Sequence, residues 1–389
     1  MHPGEDWARR GLLMAGVMAA AAAVLPPRSA AAMDKKGRRR PMTTPDAYVA
    51  LALQTTCFAV NSAADAAASR PRMRAAIDRI GAQIAASKRF IGQDVKLVVL
   101  PEYFLTGYPM GEATAVWADK AAIAPGGPEY AALGEVARTN GVHLAGNAYE
   151  TDPPFPGLYF QCSFIIAPSG EVVLRYRRLV TLFGPSPWDV WDRYLAVHGL
   201  DGVFPVADTE LGRLAAIASE EILYPEIARA LAIRGAEVFV HSSSEIASAL
   251  TTPKNVAKQA RAIENLAYVV SANSAGIEET AIPFASADAS SKVVDFRGLV
   301  LAEAGQGESM AGYAEIDLAA LRRYRRRPGM GNILARQPMG LWVEAYAGHD
   351  IAPRNTLLDD DGGMITPTPA FYALRQREAI DRLVSAGVI

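Results

Sequence analysis

The stretch "LYFQCSFIIAPSGEVVLRYRRL" (residues 158–179) reads as two strands folded about a turn at Pro168-Ser169-Gly170. A second hairpin follows in "VFPVADTELGRLAAIAS" (203–219), turning near Glu210-Leu211-Gly212. Working outward, strands and helices alternate. "YVALALQTTCFAV" (48–60) is a first strand region, and "VKLVVLPE" (95–102) is a short continuous apolar run, as a buried strand would be. Between them Met73, Ala76, Ile77, Ile80 and Ile84 recur at helical spacing. "EYAALGEVARTNG" (129–141) and "PEIARALAIRG" (225–235) are helices stopped by glycine. Hairpins mixed with helices argue against a purely parallel doubly wound sheet and for a two-sheet core covered by helices. No linker divides residues 46–320, which read as one domain. The tail, residues 321–389, is rich in Arg, Pro and Gly, with an amphipathic stretch near Ala370 to Leu383. It reads as a C-terminal extension that packs on the body or on a partner chain.

Bulk composition bounds the function. The chain has 389 residues, 50% of them apolar, and a formal net charge of −2. That is globular composition with ample core, and it offers no concentrated basic face for nucleic acid. Cys57 and Cys162 sit in apolar strand-like runs and read as buried thiols. The five histidines are scattered, none paired at i, i+4, so no metal site is expected, and no cofactor. Residues 1–32 follow a different grammar. Arg9-Arg10 precede an apolar run from Gly11 to Leu25 and small residues ending at Ala30-Ala31-Ala32. This is a twin-arginine-type signal peptide, with a run too short for a comfortable membrane span of about 20 residues. Residues 33–45, with "DKKGRRR" at 34–40, form a basic leader. The expectation is export to the periplasm or medium, with no stable membrane insertion after cleavage.

"RLAAIASEEILYPE" (213–226) holds the chemistry question. A strand stops at Ser219 and a helix starts near Pro225. Hydrolases often keep a nucleophile at such a corner, and a serine hydroxyl also caps turns well.

Four stretches, in order, resemble the nitrilase (carbon–nitrogen hydrolase) superfamily. They are "VVLPEYFLTGYP" (98–109), "GEVVLRYRRL" (170–179), "GRLAAIASEEILYPE" (212–226) and "ARAIENLAYVVSANSAG" (260–276). "RGAEVFVHSSSE" (234–245) also fits. The resemblance implies a four-layer α-β-β-α sandwich, a dimer or higher homo-oligomer, and hydrolysis or acyl transfer at a nitrile, amide or carbamoyl carbon. The family's catalytic set is a Glu base, a Lys that stabilises developing negative charge, and a Cys nucleophile. Carried over by position, Glu102 matches the base. Arg178 stands where the Lys is usual, and Ser219 where the Cys is usual. Glu220 replaces the aromatic after the nucleophile, and Glu221 matches the usual acid. Glu150 is a candidate second glutamate near the substrate. Glu220, Tyr108, Ser243 and Ser244 are, with Glu150, candidates to bind substrate, Trp188 is a candidate to line the pocket, and His241 reads as a satisfied buried histidine.

The departures alter the chemistry. A serine hydroxyl is a far weaker nucleophile than a thiol and needs a well-matched base. Arg is planar and permanently charged, suited to a two-pronged clamp on Glu102 or Glu150 that would weaken either as a base. Glu220 adds negative charge beside the backbone N–H expected to serve the oxyanion. Two readings stay open: a hydrolase acting on a small amide, nitrile or carbamoyl compound through a Glu-Arg-Ser set, or a non-catalytic relative (a pseudoenzyme) that binds an amide-like ligand or serves as a structural subunit.

Overall fold

The computed structural model describes residues 45–389, apart from 247, 249, 285–289 and 350. The segment expected to be a signal peptide, residues 1–32, and the expected leader up to residue 44 lie outside the described residues. The described residues from 45 onward form one compact unit.

Two six-stranded sheets make the centre. The first holds β1 (Ala47–Ala52), β3 (Val95–Val99), β4 (His143–Thr151), β5 (Tyr159–Ile166), β6 (Val172–Arg177) and β14 (Tyr313–Asp317), in the order β14-β1-β3-β4-β5-β6. The second holds β7 (Ala207–Thr209), β8 (Gly212–Ala218), β9 (Val238–Ser243), β10 (Tyr268–Asn273), β12 (Lys292–Val294) and β13 (Val300–Glu303), in the order β13-β12-β10-β9-β8-β7. A two-residue pairing joins β2 (Cys57–Phe58) to β11 (Ile277–Glu278). In each large sheet the central strands run parallel, β1-β3-β4 and β8-β9-β10. The flanking strands are antiparallel, and they include both hairpins read from the sequence. The turns fall where expected, with Gly170 at φ 89° and Gly212 at φ 89°, backbone that glycine adopts without steric cost.

Continuous apolar strands are required because both faces are covered. Ala50, Ala52, Leu97 and Val99 face the second sheet and pack in one core with Ala216, Ala218, Val238 and Val269. Leu51, Val95 and Val98 join the opposite layer, against α1 (Ala66–Ile91) through Met73, Ile77, Ile80 and Ile84. α2 (Thr114–Ala121) and α3 (Pro128–Asn140) add to that layer through Trp117 and Leu133. α4 (Trp191–Val203) joins a third cluster. On the other side α5 (Pro225–Ile233) and α6 (Pro253–Asn265) bury Ile227, Leu231, Ala257 and Ala262 on the second sheet. The result is the four-layer α-β-β-α sandwich.

The tail packs on the body of its own chain. α7 (Leu318–Arg326) buries Leu318 and Leu321. Beyond it, Leu357 is buried with Phe155, Phe160 and Tyr194, and Thr114 Oγ1 donates to the Pro367 carbonyl at 2.9 Å. The last helix, α8 (Pro369–Ser385), reaches Asp189 through Arg375.

Candidate active site

The site forms where parallel strands of both sheets end. Glu102 follows β3, and its N–H donates to the Ser243 carbonyl at the end of β9 at 3.2 Å. Ser242 Oγ donates to the Leu100 carbonyl at 2.8 Å. These two bonds stitch the loop carrying Glu102 to the opposite sheet. Tyr103, the next residue, has φ 64°. A bulky residue there is strained, and such backbone persists only where the surroundings over-determine it.

Ser219 begins a short 3-10 turn after β8 and has φ 47°, also left-handed. It is buried, and its carbonyl accepts from His241 Nε2 at 2.7 Å. Since a carbonyl only accepts, Nε2 carries the proton, and Nδ1 receives the Ser271 hydroxyl at 2.8 Å. Burial, with Lys258 nearby, pushes the imidazole well below its usual range, so it is neutral and structural. Ser219 Oγ accepts from Lys254 Nζ at 3.3 Å.

Arg178 follows β6, and the β5–β6 hairpin sets it opposite Gln161, whose carbonyl takes the Arg178 N–H at 2.9 Å. The guanidinium is buried and heavily committed. Nη1 donates to Gln161 Oε1 at 2.7 Å and lies 3.5 Å from Glu102 Oε1. Nε donates to the Val180 carbonyl at 2.9 Å, and Nη2 pairs with Glu220. Burial opposes this charge, but Glu102 and Glu220 outweigh it and hold the group above its ordinary value. Gln161 Nε2 closes the ring by donating to Glu102 Oε1 at 2.6 Å.

Glu221 supports the corner. Its Oε1 accepts from the Leu179 and Val180 amides at 2.7 and 2.9 Å, and its Oε2 from the Tyr176 hydroxyl at 2.7 Å. The turn bearing Ser219 is thereby tied to the segment bearing Arg178.

The structure thus brings together Glu102, Arg178, Glu220 and the Ser219 corner. Glu150 goes elsewhere. Its carboxylate is enclosed by Tyr130, Arg175 and Arg177, at 2.8–3.0 Å. Side chains alternate along β4, so it is the neighbouring Tyr149, paired with Gln161, that shares the Gln161 face. Ser243 is buried and serves Glu102 through its carbonyl, and Ser244 Oγ pairs with Ser274 Oγ at 2.9 Å. Tyr108 packs on Tyr103 with ring centroids 5.2 Å apart. Trp188 stands away from the group, half-exposed and donating to the Ala352 carbonyl of the tail at 2.8 Å. Both cysteines are buried and unpaired, their thiols pushed up by burial. Sequence reasoning missed Gln161 and Lys254. Gln161 had one signal: with Ser163 it interrupts the apolar arm "LYFQCSFII", and it is the longer of the two polar side chains. Lys254 had none, since its contact depends on where α6 starts in space.

Residues 50–326 match the family model for carbon–nitrogen hydrolase. A nitrilase from Pyrococcus abyssi is 29% identical over 233 residues, 60% of this chain and 81% of that protein. A formamidase from Pseudomonas syringae pv. syringae is 28% identical over 57% of this chain, which spans 60% of that relative's length. Among solved structures, a carbon–nitrogen hydrolase from Helicobacter pylori G27 superposes with a TM-score of 0.57 at 18% identity, covering 78% of this chain and 99% of that one. Saccharomyces cerevisiae Nit3, of the nitrilase superfamily, gives 0.54 at 22% identity, covering 72% and 93%. These structures share the fold.

Proposed function

The chain belongs to the carbon–nitrogen hydrolase family, and we propose that it hydrolyses a small amide, nitrile or carbamoyl compound with Ser219 as nucleophile, Glu102 as base and Arg178 as the cation that holds Glu102 in place. One observation carries this reading. Ser219 occupies a buried left-handed corner whose turn is tied, through Glu220 and Glu221, to the Arg178 segment. A capping serine has no need of that strain, whereas a nucleophile presented at a strand end does. The nitrilase and formamidase relatives support the substrate class.

A second reading has its own support. The donors of Arg178 are answered largely by the protein's own Glu102, Gln161, Glu220 and Val180, a closed network that suits a non-catalytic binder of amide-like ligands. One experiment separates the two. Full-length protein is incubated with small amides, nitriles and carbamoyl compounds, and ammonia release is followed beside Ser219→Ala. Turnover that vanishes in the variant supports the hydrolase. A ligand that raises the melting temperature and is never consumed supports the binder. The leader sequence supports export by the twin-arginine route, checked by mass spectrometry of the mature N-terminus. Self-association, which the family resemblance suggests, is checked by light scattering.

A further inference from the structure

A serine attacking a carbonyl needs positive charge close to its oxygen, because the proton leaves as the carbon–oxygen bond forms. Arg178 is poorly free to supply it. Its Nε and Nη1 are bonded to Val180, Gln161 and Glu102, and its Nη2 is paired with Glu220. The charged group bonded to Ser219 Oγ comes instead from the start of α6. Lys254, in the first turn of α6, reaches it at 3.3 Å.

The start of α6 is built so as to hold this lysine. Thr252 caps the helix, its Oγ1 accepting from the Asn255 amide, and also meets the Glu245 carboxylate. Pro253 takes the first helical position, which has no use for an N–H. One turn on from Lys254, Lys258 is fully buried, with Nζ 3.3 Å from Glu245 Oε2. Glu245 is itself anchored, its backbone N–H donating to Asn273 Oδ1 at 2.7 Å. A rigid helix start therefore aims Lys254, half-buried, at the Ser219 corner.

We propose that Lys254 is a further catalytic residue, the ammonium that Ser219 uses because the Arg178 cation is committed to Glu102, Gln161 and Glu220. The inference rests on the reading of Ser219 as a nucleophile. In the acylation step the Ser219 hydroxyl proton passes to the Glu102 carboxylate. The Oγ–carbon bond forms, and the carbonyl π pair moves onto the substrate oxygen. Lys254 keeps its protons throughout and donates a hydrogen bond to Oγ, stabilising the partial negative charge there as the hydroxyl proton leaves and before the charge passes to the substrate oxygen. Protonated Glu102 then gives its proton to the departing nitrogen, the carbon–nitrogen bond breaks and ammonia leaves. Water, deprotonated by Glu102, cleaves the resulting ester, and Ser219 regains its proton. The sum is an amide plus water giving a carboxylic acid plus ammonia.

The test uses full-length protein with Lys254→Met, Lys254→Gln and Lys254→Arg, and two readouts. One is kcat and KM for whichever amide the wild type consumes. The other is the rate at which a fluorophosphonate labels Ser219, located by peptide mass spectrometry. Loss of one oxyanion-hole donor costs about 10²–10³-fold in rate, which sets the upper scale for loss of a donor on the nucleophile. The expectation is a loss approaching that size in both kcat and labelling for Lys254→Met and Lys254→Gln, with KM and melting temperature little changed and partial recovery in Lys254→Arg. If Ser219→Ala abolishes turnover while Lys254→Met and Lys254→Gln react and label at wild-type rates, the role of Lys254 is overturned and the serine reading stands. If wild-type Ser219 neither labels nor matters for turnover, both fall together.

Discussion

Gln161 donates to Glu102 Oε1 at 2.6 Å and, through its own oxygen, accepts from Arg178 at 2.7 Å. The amide thus bridges a carboxylate and a guanidinium that meet directly at only 3.5 Å. Gln161→Leu keeps the volume and removes both bonds, leaving two buried charged groups each short of a partner. Such loss costs about 1–3 kcal/mol, more where charge is involved. The expected result is a lowered urea midpoint and at least a tenfold fall in ammonia release, since Glu102 is no longer held. Unchanged activity would remove Glu102 positioning from the role of Gln161.

Arg178 and Glu220 form one ion pair. In sequence, Glu220 looked harmful to an oxyanion, yet its carboxylate is paired with Arg178. A double-mutant cycle with Arg178→Gln and Glu220→Gln should show favourable coupling of about 0.5–3 kcal/mol, the range for residues in contact. The single variants should be unequal. Arg178→Gln leaves the buried Glu102 uncompensated and should cost about 3–5 kcal/mol. Glu220 is partly exposed, and its loss should cost less. Zero coupling by chemical denaturation would mean the two substitutions are unrelated.

The strain at Ser219 can be measured apart from its chemistry. Ser219→Ala and Ser219→Gly both delete the hydroxyl and its bond to Lys254, but only glycine is at ease at φ 47°. The glycine variant should therefore be the more stable by about 1 kcal/mol, the usual cost of left-handed backbone in a residue with a Cβ. Both should be inactive. An alanine variant equal to or better than the glycine variant would show that the corner stores no strain.

Burial pushes the Glu221 carboxyl up to about 7, against the pull of Arg178, Tyr176 and the Val180 and Leu179 amides. The folded protein thus holds this proton over a range where the unfolded chain, with its ordinary value of 4.5, has released it. The sign follows: this group's contribution is fully present below about 4.5, declines as pH rises to about 7, and is flat above. At about 1.4 kcal/mol for each pH unit between the folded and unfolded values, the decline is at most about 3.5 kcal/mol. Glu221→Gln cannot titrate, so the fall in stability between pH 5 and pH 8 should be smaller in the variant. Equal losses in wild type and variant, measured by urea titration at the two pH values, would exclude the effect.

Much of this was legible because local chemistry and tertiary role coincide. Pro168-Ser169-Gly170 both turns the hairpin and sets Arg178 opposite Gln161. Glu102 and Ser219 sit at strand ends that the apolar runs mark plainly. Glu150 was harder. A one-residue shift along a strand reverses the face, so Tyr149 rather than Glu150 shares a face with Gln161. Lys254 was beyond reach, since its partner lies 35 positions away and across a helix whose docking no local pattern encodes.

The tail offers the last test, because two outcomes were open for it. It holds to its own body through Leu357, which lies fully buried among Phe155, Leu158, Phe160, Val190 and Tyr194. Polar contacts fasten the same place: the Leu357 N–H donates to the Asp189 carbonyl at 2.9 Å, Thr356 Oγ1 to Asp189 Oδ1 at 2.7 Å, and Arg375 pairs with that carboxylate. Leu357→Ala opens a cavity in a cluster that the body cannot close alone, and should cost about 2–5 kcal/mol. Ending the chain at Pro328 should do more, uncovering the aromatic cluster and binding a hydrophobic dye at temperatures where the full chain does not. A truncated protein with the melting temperature of the full chain would make the extension dispensable to the fold and return it to the role of a surface for partners.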